Sequence, residues 1–407
     1  MIAETTSAGD TAWLLVSSAL VLLMTPALAL FYGGMVRRKN VLSTLMHSLA
    51  ALPVLSVVWV LYGYSLAFGP THGGVIGGLD FIGLRGTVGT VHDTVPTYAF
   101  VAFQMMFAVI TPALISGAVA ERMKFSAYLV FVIAWSTFVY VPVAHWVWGT
   151  GGWLFELHAL DFAGGTVVHL TAGASALVCA LVLGPRLKYP QERPPPHNLT
   201  MTLTGAGLLW FGWFGFNAGS ALKSTPLAAL AFITTHLGAA GGALGWLFIE
   251  WWHRGKPTAL GVASGLVAGL VAITPAAGFV APWAAIVIGV IAGLVCYAGV
   301  LAKYKYGYDD SLDAFGVHGV GGFTGALLTG VFAQLAYNAD GADGLVTGNV
   351  HPVLIQLVAC LASGLYAGAA TWVILKVIDR AMGLRVAAAD EREGLDSTQH
   401  GEDAYAG

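Results

Sequence analysis

The sequence predicts an all-α polytopic membrane protein: eleven transmembrane helices, arranged as an inverted 5+5 repeat plus a final helix, with the N-terminus outside and the C-terminus in the cytoplasm. Three observations carry this. The chain is 57% hydrophobic and only 10% charged, with a mean hydropathy of +0.76, whereas a soluble domain carries roughly a quarter charged residues. Its apolar residues fall into eleven long runs. Its Lys and Arg lie almost entirely on one side of those runs.

The runs are 11–33, 41–68, 98–119, 125–148, 162–184, 199–219, 226–249, 257–276, 281–302, 313–335 and 351–379. Each approaches the ~20 residues a helix needs to cross a bilayer. They are continuous and do not alternate, which favours helices over a barrel. The eighth, rich in Gly and Ala, has the weakest apolar signal. The chain holds 53 glycines, frequent within the spans, and small residues let helix backbones approach closely. Segment 69–97 is Gly-rich, external and without a span. QERPPPHN, 191–198, is a cytoplasmic link and a natural boundary between halves. The organisation expected is a transmembrane domain over 1–380, with half-repeats 11–184 and 199–335 and a final helix 351–379, then a cytoplasmic tail over 381–407.

Charge sets the orientation. Arg37, Arg38, Lys39, Arg122, Lys124, Arg186, Lys188, Arg193, Arg254, Lys256, Lys303, Lys305, Lys376, Arg380, Arg385 and Arg392 share one side, leaving Arg85 and Lys223 on the other. The positive-inside rule makes the first side cytoplasmic. Five spans precede the 191–198 link, so the second half enters from the opposite face, which defines an inverted repeat. The net charge of −3 gives no basic surface for nucleic acid. Cys179, Cys296 and Cys360 sit in separate apolar runs and read as small core hydrophobes, with no metal or disulfide expected. The opening MIAETTSAGD is polar, lacks Lys and Arg, and shows no leader pattern; it is compatible with a terminus left by processing.

Two stretches echo each other. DFAGGTVVHLTAG (161–173) and DSLDAFGVHGVGG (310–322) each place a histidine, His169 or His318, eight positions after an aspartate. At 1.5 Å per residue each histidine lies ~12 Å in from its own face. In a hydrocarbon core ~30 Å thick, two such residues entering from opposite faces come close in depth near the midplane. Ionisable groups at that depth mark functional sites. The alternative is a pair of unrelated core histidines, each bonded to a backbone carbonyl. Neutral rings are expected, because burying an imidazolium is costly, and two neutral rings can share one proton. Such a line suits a small neutral polar molecule or a proton relay. It does not suit an alkali cation, since no carboxylate lies beside the pair in sequence. Asp161 caps the fifth span; its charge also favours a cation arriving above the pore.

FGWFGFNAGS (211–220) ends the sixth span on the outer side, Phe107 lies in the third span and Trp148 ends the fourth. Aromatic faces attract cations by roughly 0.5–2 kcal/mol each, and a hydroxyl such as Ser220 can accept from an N–H donor. The alternative is an interfacial aromatic belt, and physics alone does not single these residues out.

These motifs, with the tail EREGLDSTQHGE, resemble the ammonium transporter/Rhesus family on the bacterial-type ammonium transporter side, over nearly the whole chain and in the family's order. The resemblance implies a homotrimer of eleven-helix protomers in the lipid bilayer of the cell membrane, each with its own pore and no cofactor. It implies an outer recruitment site of Phe107, Trp148 and Ser220 for ammonium, or methylammonium as analogue. It further implies a gate of Phe107 on Phe216, a pore lined by His169 and His318 with Trp213 beside them, and an essential acid at Asp161. On this reading the protein is not an enzyme: ammonium is deprotonated and ammonia passes the histidines, with or without separate proton transfer. Rival readings are an ammonium sensor signalling through its tail, a histidine-ligated membrane haem enzyme, and a Rhesus-type neutral gas channel; Trp148 with Ser220 and the EGLD tail favour the ammonium transporter branch.

The tail from Ala387 to Gly407 is polar and acidic. Ordinarily such an end is solvated and disordered. EREGLD, with Gly394 and Leu395 before Asp396, breaks the acidic monotony, and Arg37, Arg38, Arg186 and Lys188 offer opposite charge for docking. The resemblance adds a PII-type signal protein as the soluble partner at the cytoplasmic face.

Overall fold

The computed structural model describes residues 6–192 and 195–405. The expectations for the first five residues, for Arg193 and for the last two residues of the tail lie outside the described residues. Among the described residues ten helices are long and apolar enough to span a bilayer: α1 Ala8–Met35, α2 Arg38–Phe68, α3 Thr97–Val119, α4 Phe125–Glu156, α5 Gly165–Leu183, α6 Leu199–Ala221, α7 Pro226–Arg254, α9 Pro282–Tyr306, α10 Phe315–Phe332 and α11 His351–Met382. Between α7 and α9 lies the shorter apolar helix α8, Ala259–Ile273, 15 residues. Hence the eleven runs become ten full-length spans and one short one. Pro275 follows Thr274 where α8 stops; Thr274 still has helical backbone, φ −52 and ψ −48, but proline has no N–H with which to carry the helical ladder onward. The following segment turns through Ala276–Gly278 to the start of α9.

The all-α expectation holds for the membrane part. Outside it, segment 69–97 is not featureless. It folds into two short antiparallel hairpins, β1 Thr71–His72 with β2 Ile76–Gly77, and β3 Val91–His92 with β4 Val95–Pro96. Ser65 on α2 pins this cap, donating from its hydroxyl to Gly78 O at 2.8 Å while accepting from Phe81 N at 2.9 Å. Lys223 pairs with Asp93 at 2.6 Å at the same end.

Helix packing depends on small residues at the crossings. α5 and α10 approach so closely that a Cβ added at Gly173 would fall on the backbone of Gly319, and one at Gly322 would meet His169 Cβ at 3.0 Å. No side chain separates the two helices there, and that contact brings the two histidine motifs together. The cysteines are free and buried. A buried core of aromatic and aliphatic side chains runs through the bundle, with Trp59, Trp135 and Trp213 among the largest. Trp135 donates to Ser175 at 2.8 Å and to Thr371 at 3.1 Å, tying α4 to α5 and α11.

Residues 383–405 pack against one end of the bundle. Lys124 N donates to Leu384 O and Val386 N to Arg122 O, a strand-like pairing with the α3–α4 turn. The short helix α12, Ala388–Glu393, follows.

Candidate functional site

The two aspartate–histidine motifs fold by the same local rule. The Asp161 carboxylate accepts four successive backbone amides: Gly164 and Gly165 on Oδ1 at 2.8 and 2.6 Å, Thr166 and Val167 on Oδ2 at 2.9 and 3.0 Å. These are the amides a helix start leaves without partners. The turn they open, Gly165–Leu170, is a π-turn carrying His169. In the second half, Asp310 accepts from Ala314 N at 3.1 Å and Phe315 N at 2.8 Å. It opens another π-turn, Phe315–Gly319, carrying His318. Wide π-turns are rare and frequently mark functional positions. Burial holds the Asp161 carboxyl above the usual carboxylate range, and the four amides oppose that shift. Burial, reinforced by the charge of Asp313, pushes Asp310 up to about 6.

The histidines meet. Their Nδ1 atoms are 3.3 Å apart, with ring centroids 5.3 Å apart and planes 25° from parallel. One of the two nitrogens therefore carries the hydrogen and the other accepts it. His169 Nε2 is buried without a partner. Trp213 stacks on His169 at 5.4 Å, and Phe216 at 5.9 Å. Trp213 is itself fixed by its Nε1 donating to Thr274 Oγ1 at 2.9 Å, across to the end of α8. With Phe31, Leu114 and other apolar side chains, these rings line a slot with room of about 10 Å³ for water-sized molecules. That is about one such molecule.

At the end of the bundle away from residues 383–405 a cavity of about 790 Å³ is lined by Phe107, Trp148, Ser220 and Asp161 among others. The structure thus brings the aromatic mouth residues to one place. Phe107 and Phe216 lie between this cavity and the slot, ring centroids 4.4 Å apart and tilted by 38°, both 1% exposed. Trp148 meets Phe107 edge-on at 5.9 Å and is anchored by its Nε1 donating to Asp161 O at 2.9 Å. Ser220 donates its hydroxyl hydrogen to Phe216 O at 2.8 Å, which leaves its oxygen lone pairs to accept. The loop carrying Asp161 is braced from α11: Gln356 accepts from Leu160 N at 2.8 Å and donates to Leu160 O at 2.7 Å.

A second cavity of about 150 Å³ opens at the other end, lined by Arg37, Glu121, Arg186, Lys303 and Asp313 among others. Its frame is an ion-pair node that the sequence reading did not identify. Buried Glu121 accepts from Arg37 Nε at 2.9 Å, Arg186 Nη1 at 2.8 Å and Asn40 Nδ2 at 2.8 Å. Arg186 also forks onto Asp309 at 2.8 and 2.9 Å. Burial opposes ionisation of Glu121, but Arg186 and then Arg37 outweigh it and hold the carboxyl down at about 2. The sequence offered one signal, the lone acid of AERMK at the end of an apolar run. Lys303 also pairs with Asp313.

This node corrects the expected docking ground of the tail. Arg37 and Arg186 are occupied by Glu121 and Asp309, and Lys188 pairs with Glu192 at 2.6 Å. Of the four basic residues, Arg38 meets the tail, through the ring of Tyr405 at 5.3 Å. Lys39 also reaches the tail, donating to Arg392 O, and the acids of the tail turn largely to backbone amides. Asp396 accepts from Leu42 N at 3.1 Å and Ser43 N at 2.8 Å, capping α2, and Leu395 N donates to Asn40 Oδ1 at 2.8 Å. Glu391 accepts from Leu187 N at 2.6 Å and pairs with Arg385 at 2.8 Å. Gly394 adopts φ +128, with a hypothetical Cβ 2.7 Å from Lys39 O, so neither the backbone nor the space admits a side chain. Leu395 is fully buried.

Fold and cavities define a multi-pass helical membrane protein with a polar cavity towards each end of the bundle and, separate from both, a narrow, mostly apolar slot at the histidine pair. The profile described as the Ammonium Transporter Family matches residues 12–405. The ammonium transporter of Bacillus subtilis (strain 168) is 53% identical, with 98% of each chain covered. That of Aquifex aeolicus (strain VF5) is 52% identical over 98% of this chain and 93% of that one. Among solved structures, Saccharomyces cerevisiae Mep2 superposes with a TM-score of 0.90 at 38% identity, over 95% of this chain and 89% of that one. The chain belongs to the ammonium transporter family, whose named members are transport proteins.

Proposed function

We propose that the protein recruits NH₄⁺ at Phe107, Trp148 and Ser220, that the ion gives its proton to solvent water of the wide cavity at the Phe107–Phe216 gate, and that NH₃ passes Trp213, His169 and His318 across the cell membrane. The observation that carries this reading is the slot: room for about one water-sized molecule between two wide mouths. A hydrated cation does not fit, and stripping a cation bare costs several kcal/mol. Potassium has no way to shed its charge. Ammonium can, since it carries a removable proton, and the ammonia left behind can both donate to and accept from a histidine pair sharing one hydrogen.

Each mouth residue has a part. The face of Trp148 stabilises the cation, Ser220 accepts one of its N–H groups, and the phenylalanine gate admits the neutral form. Asp161 has both oxygens engaged by amides. It acts first by holding the turn that carries His169, and second by a negative field that favours the cation above the gate. Residues 1–380 form the conducting unit, active as a homotrimer, and 381–407 the regulatory tail, in which Gly394, Leu395 and Asp396 clamp the inner face beneath α2. A PII-type signal protein docks on that face.

The test is simultaneous ¹⁵N-ammonium flux and current in proteoliposomes, with wild type and Trp148→Leu. Flux that saturates in wild type and weakens at sub-saturating substrate in Trp148→Leu supports the site. A current that scales with flux means the proton crosses as well. Wild-type liposomes no more permeable to ammonium than empty ones would end the proposal.

A further inference from the structure

Phe100, Gln104 and Phe107 occupy one face of α3, four and three residues apart, and all three line the outer cavity. The helical repeat makes them neighbours in a row that descends from the mouth to the gate. Phe100 is stacked by His92, centroids 3.7 Å apart, and Phe107 rests on Phe216. Between them stands a carboxamide whose oxygen is unpaid by any donor: Gln104 Oε1 is buried and makes no hydrogen bond. Its polar neighbours in the cavity wall are committed. Trp148 Nε1 goes to Asp161 O, the Asp161 oxygens hold four amides, and the Ser220 hydroxyl hydrogen goes to Phe216 O.

Buried acceptors in folded proteins almost always have partners, and one that lacks a partner calls for an explanation. A leucine or methionine would fill this helix position without leaving an oxygen unsatisfied. The amide sits one turn outside the gate, on the wall of the cavity that holds Trp148 and Ser220. The last torsion of a glutamine is broad, so the amide can swing its oxygen towards the cavity floor. We infer that Gln104 is a further cation-binding residue of the outer site, a neutral acceptor that takes one N–H of the incoming ammonium as that ion sheds water above Phe107. The inference rests on the outer-site reading given above. Its chemistry is distinct from that of Trp148: the indole face reads charge, whereas a carbonyl oxygen reads a hydrogen-bond donor. Ser220 supplies a second such oxygen, so an ion with several N–H groups is held at more than one point while a methylated analogue, with one N–H fewer, has less to offer.

The experiment measures initial uptake against ammonium and methylammonium concentration in proteoliposomes, at fixed pH, for wild type, Gln104→Leu, Gln104→Glu and Trp148→Leu, with thermal unfolding of each purified protein. Loss of one hydrogen bond to a charged group is worth roughly 10-fold in binding, so Gln104→Leu should raise the half-saturating ammonium concentration about 10-fold. Its maximal rate should stay within about twofold of wild type, and its preference for ammonium over methylammonium should shrink. Gln104→Glu, which keeps an acceptor at the same place, should bring half-saturation back to the wild-type value or below. The inference fails if Gln104→Leu saturates as wild type does. It also fails if Leu and Glu are impaired alike with the same loss of thermal stability, since that pattern means packing. Should Trp148→Leu weaken uptake while Gln104→Leu does not, Gln104 alone is wrong; should neither variant matter, the outer-site reading falls with it.

Discussion

Replacing Asp161 by asparagine separates its two parts. The substitution keeps the shape and exchanges one carboxylate oxygen for an NH₂ group. In the structure each oxygen serves two amides, at 2.6–2.8 Å on one side and 2.9–3.0 Å on the other. Asparagine therefore leaves two buried N–H groups facing an N–H donor. An unsatisfied buried group costs about 1–3 kcal/mol, so two cost about 2–6 kcal/mol. Removing the charge works the other way, because burial already disfavours the ionised form and holds the Asp161 carboxyl above its ordinary range. The lower end, about 2 kcal/mol, is the expected net destabilisation. The π-turn carrying His169 should loosen, since its first amides lose their anchor. The assay is intrinsic-fluorescence melting of purified protein alongside ammonium flux. Asp161→Asn should melt several degrees below wild type and lose most flux, and Asp161→Glu, whose oxygens are displaced by one methylene, should melt low as well. An Asp161→Asn protein as stable as wild type would refute the anchoring argument; if it were also inactive, the charge itself would be what transport needs.

Three further outcomes follow from the same geometry. His169→Asp puts a carboxylate in the slot and gives a bare cation compensation, so a K⁺ leak absent from wild type should be measurable in vesicles; equal K⁺ exclusion in both proteins at neutral pH counts against the histidine account. Glu121 is held at about 2 against an ordinary 4.5, so its stabilisation is complete above about pH 4.5 and lost as pH falls towards 2. At 1.36 kcal/mol per unit this is about 3 kcal/mol, and the melting temperature of Glu121→Gln should be lower at neutral pH and flatter across that window, whereas parallel curves for the two proteins would contradict the ion-pair node. Gly394→Asp forces a side chain against Lys39 and a non-glycine residue into φ +128. It should uncouple the tail, so flux and binding of a PII-type protein are to be compared in wild type, Gly394→Asp and a truncation after Leu384; identical behaviour of all three would make the tail a passive end.

Much was determined by the sequence alone, because a bilayer constrains composition strongly. A chain with so few charges has to bury its backbone polar groups in helices, so the apolar runs and the membrane setting are readable without coordinates. The eight-residue spacing of Asp161–His169 and Asp310–His318 is also local, since it fixes depth along a helix. What depth does not fix is rotation about the helix axis. The approach of the two Nδ1 atoms to 3.3 Å needed the α5–α10 contact through Gly173, Gly319 and Gly322 and the π-turn at each aspartate. The eighth run shortened to 15 residues because Pro275 ended it, and that stop places Thr274 under Trp213. Tertiary structure alone decided the end of the bundle that carries the tail. Charge counting paired the acidic tail with Arg37 and Arg186, but those guanidiniums were claimed by Glu121 and Asp309, acids distant in sequence that fold into the same buried node. The tail was left to cap the free amides of α2 through Asp396. Net charge tells which side of the membrane a segment occupies; which cation meets which anion depends on burial, where the pair that loses the most water binds in one geometry, and only the packed chain sets that.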